Sequence, residues 1–177
     1  MKTLVIVEHD NNSIKGGTYN TITAASKLSG EITLLIAGSA IDSVISEAQS
    51  IDGISSILKC DNEIYSNFIA EDLSALIASN IGEFTHILAP STTFGKNLMP
   101  RVSAKLDTQQ ISDIIAVESD DTFKRPIYAG SCIATVKSND EVKVITVRST
   151  AFDAASTGNS DAVSYTHLTL PTKSRGW

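Results

Sequence analysis

The sequence predicts an α/β fold in which helices cover both faces of a mostly parallel sheet, with antiparallel strands in the second half of the chain. Apolar runs rich in β-branched residues recur through the first half, and segments with helical spacing of apolar residues separate them. Strands that alternate with helices in this way form βαβ units, whose right-handed crossovers make the strands parallel and bury both faces of the sheet. After Leu106 the strand-like runs follow one another without helices.

The first half of the chain contains four predicted strands and three predicted helices. The strands are Leu4–Val7, Ile32–Ile36, Ser56–Leu58 and Thr85–Leu88. The helices, predicted from apolar residues at three- and four-residue steps, are Thr18–Leu28, Ile41–Ile51 and Glu71–Ile81. Each predicted helix is followed closely by a glycine, which favours the left-handed backbone that ends a helix.

The second half contains four further strand-like runs. They are Ile111–Val117, Ile127–Ala129, Cys132–Val136 and Val142–Val147. Short polar segments separate them, SDDTFKRP and KSNDE among them, and this spacing is typical of antiparallel strands added to or beside a parallel sheet.

One α/β domain is predicted over residues 1–155, followed by a linker and tail over residues 156–177. The linker prediction rests on the small polar composition of AASTGNSDA. The final segment, VSYTHLTLPTKSRGW, alternates like a strand but has no evident partner element. It is either a short terminal strand or sequence foreign to the gene, and we expect it not to belong to the fold.

Composition and charge limit the classes of function. With 42% hydrophobic and 19% charged residues the chain has the composition of a soluble globular protein, and a net charge of -6 argues against nucleic acid or an anionic membrane as its main partner. The amino-terminal run TLVIVEHD is too short for a signal sequence or a membrane span. We therefore expect a cytoplasmic protein in a bacterium, or a mitochondrial matrix protein in a eukaryote, although no presequence is seen.

The two cysteines, Cys60 and Cys132, have neither CxxC spacing nor a nearby histidine pattern. Neither a zinc site nor a disulfide framework is therefore indicated. Both are expected to be buried free thiols in a reducing compartment.

The segment STTFGKNLMPRVSAKL, residues 91–106, invites a phosphate-loop interpretation because it joins hydroxyls and Gly-Lys to an amphipathic run. A P-loop needs a glycine five residues before Gly-Lys and a Ser or Thr after it, but Pro90 and Asn97 stand there. A weaker anion site at the carboxyl end of a parallel strand stays possible. The alternative is a capped helix start with Asn97 as the cap and Pro100 in the first turn, and this alternative is preferred.

Four other polar residues are assigned structural roles. Glu8 and His9 end the first predicted strand and invite an acid–base interpretation, but no nucleophile or metal partner accompanies them. His86 lies in an apolar run, which favours a core histidine. Asp113 interrupts the apolar run QISDIIAV, so it is expected to form a structural ion pair with Arg101 or Arg125.

Gly16-Gly17 gives a flexible approach to the first helix, but no GxGxxG dinucleotide fingerprint follows the first strand. The sequence accordingly assigns no catalytic, cofactor-binding or metal-ligating residue.

Several long blocks in fixed order resemble the amino-terminal domain of electron transfer flavoprotein alpha subunits. These blocks are LVIVEHDNNSI, NTITAASKLSGEITLLIAG, THILAPSTTFGKNLMPRVSAKL, ISDIIAVESDDTFKRPIYAGSCIATVKS and VKVITVRSTAFDAA. The resemblance covers about residues 3–155. It implies an adenine-nucleotide-hydrolase-like α/β domain that docks a beta subunit of similar fold.

The resemblance further implies a heterodimer that carries one FAD. This heterodimer would pass electrons from acyl-CoA and related dehydrogenases to a quinone oxidoreductase, with no catalysis by the present domain. In the family the flavin is held mainly by a carboxy-terminal domain, and no counterpart of it follows FDAA here. No flavin-binding residue is therefore carried over to this chain, and no FAD is expected on the chain alone. The rival interpretation is a free-standing nucleotide-binding module that uses the strand ends near Glu8, Ala37–Gly38 and Ser91–Gly95, and a non-functional gene fragment is a third.

Overall fold

A computed structural model describes residues 1–158 and 164–168 and contains two sheets. The strands are β1 Lys2–Ile6, β2 Glu31–Gly38, β3 Ser56–Asp61, β4 Phe84–Pro90, β5 Gln110–Ile114, β6 Ala116–Ser119, β7 Thr122–Ile127, β8 Cys132–Lys137, β9 Lys143–Val147 and β10 Ser164–His167. The helices are α1 Gly16–Ala25, α2 Asp42–Gln49, α3 Ala70–Ser79 and α4 Thr93–Lys105. The predicted α/β class is confirmed.

The larger sheet has seven strands in the order β10-β3-β2-β1-β4-β9-β5, and every neighbouring pair is parallel. Its central strand shows why helices cover both faces. Leu4 and Ile6 point into one hydrophobic core with α3 and α4, whereas Val5 and Val7 point into the other core with α1 and α2. All four side chains are at most 3% exposed, so each core takes alternate residues of the same strand.

The smaller sheet has three antiparallel strands in the order β6-β7-β8. We call this unit, residues 116–137, the arm. It connects β5 to β9, which are parallel neighbours in the large sheet, and so stands where a βαβ unit would have a crossover helix. Phe123 on β7 is fully buried and anchors the arm to the core that contains α1 and α2.

Three details of the second half differ from the sequence prediction. The predicted strand Ile127–Ala129 is wrong, because Tyr128–Gly130 is a 3-10 turn and the strand β7 lies before it, mostly within the polar segment SDDTFKRP. The predicted strand Val142–Val147 is β9, which lies inside the parallel sheet between β4 and β5 rather than in an antiparallel unit. The predicted strand Ile111–Val117 is divided, because Asp113 has a φ of 60° within a register shift and the chain then passes from the large sheet into the arm. Because the connection through the arm contains no α-helix, the sequence pattern did not indicate the parallel pairing of β9.

The end of the described chain contacts the segment that follows α2, and it also contacts β3. The backbone N–H of Asp52 donates to Ser156, the N–H of Gly158 donates to Ser50, and Ser164–His167 pairs in parallel with β3. A terminal strand is thus present at residues 164–167, while the rest of the predicted tail, residues 159–163 and 169–177, lies outside the described residues. The division into a domain at 1–155 and a tail at 156–177 stays a prediction.

Candidate functional site

The carboxyl edge of the seven-stranded sheet is the first place to look for a site. Strands β2 and β3 lie on one side of β1, and β4, β9 and β5 lie on the other, so the order of the strands reverses at the β1–β4 boundary. Open α/β sheets bind ligands in the crevice that such a reversal opens at the carboxyl ends of the strands. Glu8 after β1 and Thr92 after β4 stand at this boundary.

In this protein the boundary is spanned by a side-chain hydrogen bond. The hydroxyl of Thr92 donates to Glu8 Oε2 over 2.7 Å, and its Oγ1 also accepts from the backbone N–H of Gly95 at 3.5 Å as the cap of α4. The prediction of Asn97 as the helix cap is therefore wrong. Because the helix begins five residues earlier than predicted, Pro100 lies inside it rather than in its first turn.

The glycines near this boundary permit close approach between backbone segments. A Cβ on Gly95 would lie 1.9 Å from the carbonyl oxygen of Pro90, and one on Gly17 would lie 3.1 Å from Pro90 Cβ. Because these glycines have no side chain, the first turns of α1 and α4 can pack closely against the end of β4. The Gly95-Lys96 pair thus serves the packing of α4, which agrees with the preferred interpretation of this segment as a helix start.

Beside the boundary, His9 and Asn11 fill the space above the end of β2. His9 is 5% exposed, its Nε2 donates to the carbonyl of Ala37 at 3.1 Å, and its Nδ1 accepts from the N–H of Asn11 at 3.0 Å. Asn11 bonds in turn to the N–H of Ser39 and the carbonyl of Ser66. The two side chains therefore join three loops, and burial lowers the pKa of His9 so that the ring stays neutral.

This arrangement leaves the strand-end edge ill suited to FAD or another nucleotide. A Cβ on Gly38 would lie 2.3 Å from Asn11 Oδ1 and 2.7 Å from His9 Cε1, so the space that a phosphate would need above this glycine is already occupied. The corresponding space at Gly95 is taken by the Pro90 carbonyl. Around Gly38 and Gly95 the described residues therefore leave no room for a flavin phosphate.

Asp113 forms the ion pair that the sequence predicted, but with a different arginine. Both Nε, at 3.0 Å, and the terminal nitrogen of Arg148 donate to Asp113 Oδ2. Partial burial acts to raise the pKa of Asp113, but the hydrogen bonds and charge of Arg148 outweigh it and hold the pKa below its usual value. Arg101 instead pairs with Glu71, and Arg125 lies on β7 of the arm, so both predicted partners were wrong.

The remaining sequence candidates take structural positions. His86 is 1% exposed and its Nε2 contacts the carbonyl of Asp120 at 2.7 Å, which confirms the core histidine, and burial lowers its pKa. Cys60 is buried as predicted, but Cys132 is exposed on the arm, so that prediction was wrong. Within residues 1–158 and 164–168 no cluster of His, Cys, Asp and Glu could hold a metal ion, and no helix is long and apolar enough to cross a membrane.

The arm is the second candidate site. Its surface exposes apolar side chains, whereas polar side chains fill the strand-end edge. Tyr128 and Ile133 are 80% and 62% exposed, the highest values among the exposed large hydrophobic residues. Tyr128 and Ala129 have φ values of 48° and 54° at the β7–β8 turn, a conformation that ordinary residues adopt at a cost. Exposed apolar side chains on a strained turn are typical of a surface that binds another protein.

Comparison with known proteins identifies the family. The family model "Electron transfer flavoprotein domain" matches residues 3–172. The chain belongs to the electron transfer flavoprotein family. This range includes residues 163–172, which the sequence analysis could not place in the family pattern.

Several curated relatives are electron transfer flavoprotein alpha subunits. The chain is 49% identical over 164 residues to the subunit of Pseudomonas aeruginosa, covering 92% of this chain and 53% of that protein. It is 46% identical over 167 residues to the mitochondrial subunit of Dictyostelium discoideum, covering 90% and 47%, and 40% identical over 166 residues to that of Paracoccus denitrificans, covering 94% and 54%. The chain spans about half the length of the curated relatives it matches.

Sequence reasoning missed three residues of the strand-end edge, Thr92, Asn11 and Arg148. Thr92 could have been found as a threonine directly before an amphipathic run, because threonine is a favoured N-cap residue. The roles of Asn11 and Arg148 had no local signal, because their partners lie far away in the chain: Ser66 and Asp113.

Proposed function

We propose that this chain forms part of the alpha subunit of an electron transfer flavoprotein. In this proposal it is a scaffold that docks the beta subunit of a heterodimeric FAD carrier, which passes electrons from acyl-CoA and related dehydrogenases to a quinone oxidoreductase. The family match over residues 3–172 carries the proposal. The exposed apolar residues of the arm support the docking role, since large protein interfaces leave such surface exposed when the partner is absent. The cellular site would be the bacterial cytoplasm or the mitochondrial matrix.

The flavin of this heterodimer would be held by residues outside the described part of the chain. The strand-end edge supports this statement, because Asn11 and the Pro90 carbonyl lie close against Gly38 and Gly95. The chain itself would therefore be a non-catalytic component. When bound in the complete protein, FAD would supply the one- and two-electron chemistry.

The direct test is a binding experiment with the cognate beta subunit. The purified chain should form a complex with the beta subunit in size-exclusion chromatography, and its binding of a hydrophobic dye should fall when the complex forms. A monomer that binds neither the dye nor the beta subunit would contradict the docking role.

Ligand titrations test separately whether the chain alone binds FAD and whether it is a nucleotide-binding module. The chain alone should be colourless, and FAD added to about 100 μM should keep its free fluorescence because a Kd weaker than this leaves most ligand free. Calorimetry with ATP and AMP should show no micromolar binding. Stoichiometric FAD after desalting would overturn the first expectation, and micromolar nucleotide binding would favour the nucleotide-binding module.

A further inference from the structure

A bulge interrupts β5 just before the chain leaves the large sheet. Ile111 lies opposite Ile145. Three residues further along β5, Ile114 lies opposite Val147, which is only two residues further along β9. The extra residue in β5 lets Ile111 and Ile114 face the same core, where both are at most 4% exposed. Because β6 begins two residues after β5 ends, the bulge stands at the exit to the arm.

The neighbouring strand fixes the conformation of this bulge at Asp113. The φ of Asp113 is 60°, in the left-handed region that aspartate adopts more readily than most residues. Its backbone N–H donates to Thr146 Oγ1 at 2.8 Å. Its Oδ2 accepts from Arg148 Nε at 3.0 Å and also from a terminal nitrogen of the same arginine. Thr146 lies on β9 and Arg148 directly follows it, so β9 holds both the backbone and the side chain of the bulge residue.

Hydrogen bonds attach the arm to the large sheet at two positions. The N–H of Ile115, the first residue after β5, donates to the carbonyl of Lys124 on β7 at 2.8 Å. At the β6–β7 turn, the carbonyl of Asp120 contacts Nε2 of the buried His86 on β4 at 2.7 Å. The first attachment lies two residues from Asp113, so the bulge decides where Ile115 meets the arm.

The end of the arm projects past both attachments. Beyond Lys124, β7 pairs only with β8 among the residues that the structure describes. This hairpin, residues 125–134, includes the exposed Tyr128 and Ile133. Its direction therefore depends on where the two attachments hold the arm, and a small displacement at the bulge is enlarged at the hairpin tip.

The Asp113–Arg148 pair is better suited to orientation than to stability. The two side chains are 27% and 42% exposed, and ion pairs of this exposure stabilise a fold only slightly. Two hydrogen bonds from one guanidinium nevertheless give the pair a defined geometry. Bulges in natural sheets commonly redirect a strand beside a functional surface.

We propose that Asp113 and Arg148 are positioning residues, whose ion pair fixes the bulge and thereby holds the β7–β8 hairpin in the orientation that docks the beta subunit. This inference rests on the proposed function, because it specifies how the docking surface is oriented. The pair acts through the backbone of Ile115 and Lys124 rather than by contact with the partner.

The test measures binding of the cognate beta subunit to three variants. Asp113→Gly keeps the left-handed backbone without strain but removes the ion pair, and Arg148→Ala removes the pair from the other side. Asp113→Asn is the matched control, because asparagine also adopts this backbone and keeps an oxygen that accepts from Arg148. We expect Asp113→Gly and Arg148→Ala each to weaken binding at least fivefold, and Asp113→Asn to bind within twofold of the unchanged chain.

Circular dichroism and thermal melting establish that each variant is folded. The double variant Asp113→Gly/Arg148→Ala should bind no more weakly than the weaker single variant, because both changes remove the same pair. Additive losses would show that the two residues act separately and would overturn the inference. Equal losses in Asp113→Gly and Asp113→Asn would overturn it as well, because the charge of residue 113 would then matter rather than its contact with Arg148.

Hydrogen exchange reports on the attachment of the arm without the beta subunit. The amide of Ile115 should exchange at least tenfold faster in Asp113→Gly than in the unchanged chain, while that of Val5 on the central strand keeps its rate. If Ile115 exchange and binding are both unchanged in Asp113→Gly, the inference is overturned while the proposed function stands. Faster exchange with unchanged binding overturns it too, since the orientation of the arm would not affect docking. If the beta subunit does not bind the unchanged chain, the proposed function fails, and the docking part of the inference fails with it.

Discussion

The strand-end edge of the large sheet is filled by polar side chains, whereas the arm exposes apolar side chains. At the edge, His9 and Asn11 join three loops, and the Thr92–Glu8 hydrogen bond spans the boundary between β1 and β4. On the arm, Tyr128 and Ile133 project large apolar side chains into solvent. The same chain thus fills the position where α/β sheets usually bind small molecules and leaves open a surface suited to a protein. This difference favours a scaffold over a nucleotide-binding module.

The largest expected effect tests how tightly the strand-end edge is closed. Gly95→Ala would place a Cβ 1.9 Å from the Pro90 carbonyl oxygen, and we expect the free energy of unfolding to fall by about 3 kcal/mol. Gly16→Ala is the matched control because a Cβ added there would meet nothing within 4 Å, and it should be neutral or stabilising by less than about 1 kcal/mol. Urea unfolding measures both. A stabilising Gly95→Ala would show that the edge can open.

The second prediction concerns the pH dependence of the closed edge. Burial lowers the pKa of His9 at this edge, and also that of His86 near the amino end of β4, so the unfolded chain binds protons that the folded chain does not as the pH falls below about 6.5. Stability should therefore fall with decreasing pH, by up to about 1.4 kcal/mol per pH unit for each histidine, until the folded pKa is reached.

Urea unfolding between pH 7.5 and 5.5 measures this slope. His9→Asn keeps an acceptor near the position of Nδ1 but does not titrate, so its slope should be smaller than that of the unchanged chain. Identical slopes would mean that His9 is accessible to protons in the folded state, and the edge would be more open than its contacts indicate.

The third prediction tests the junction between the edge and the arm. The Asp113 and Arg148 side chains are 27% and 42% exposed, so Asp113→Asn should cost about 1 kcal/mol or less, rather than the 3–5 kcal/mol of a buried pair. Because the pKa of Asp113 is lowered, this contribution is present above its unfolded pKa and is lost as the pH falls through the folded value. Asp153→Asn, at an exposed position, controls for net charge. A loss above 3 kcal/mol would show that the pair is shielded from water.

The smallest expected effect on stability lies on the arm. Ile133→Thr keeps a β-branched residue at a 62% exposed position, and the free energy of unfolding should change by less than about 0.5 kcal/mol. Dye binding by the isolated chain should nevertheless decrease, because less apolar surface is exposed. A loss of stability as large as that of Gly95→Ala would mean that Ile133 supports the fold, and the arm would no longer differ from the edge.

The sequence by itself determined the α/β class, the first four strands, and three helices to within a few residues at each end. These features depend on local periodicity, because a strand buried on both faces reads as a continuous apolar run and a helix reads as a 3.6-residue pattern. The failure of the P-loop pattern was equally local, since Pro90 and Asn97 can be read directly.

Only the tertiary structure decided the parallel position of β9, the Asp113–Arg148 pair and the filling of the strand-end edge. Strand direction depends on the path between strands, and the arm replaced the helix that would have signalled a parallel crossover. The partner of Asp113 lies 35 residues away, and Asn11 reaches Ser66 across 55 residues. No local pattern encodes such contacts, because they form only when the sheet brings the ends of its strands together.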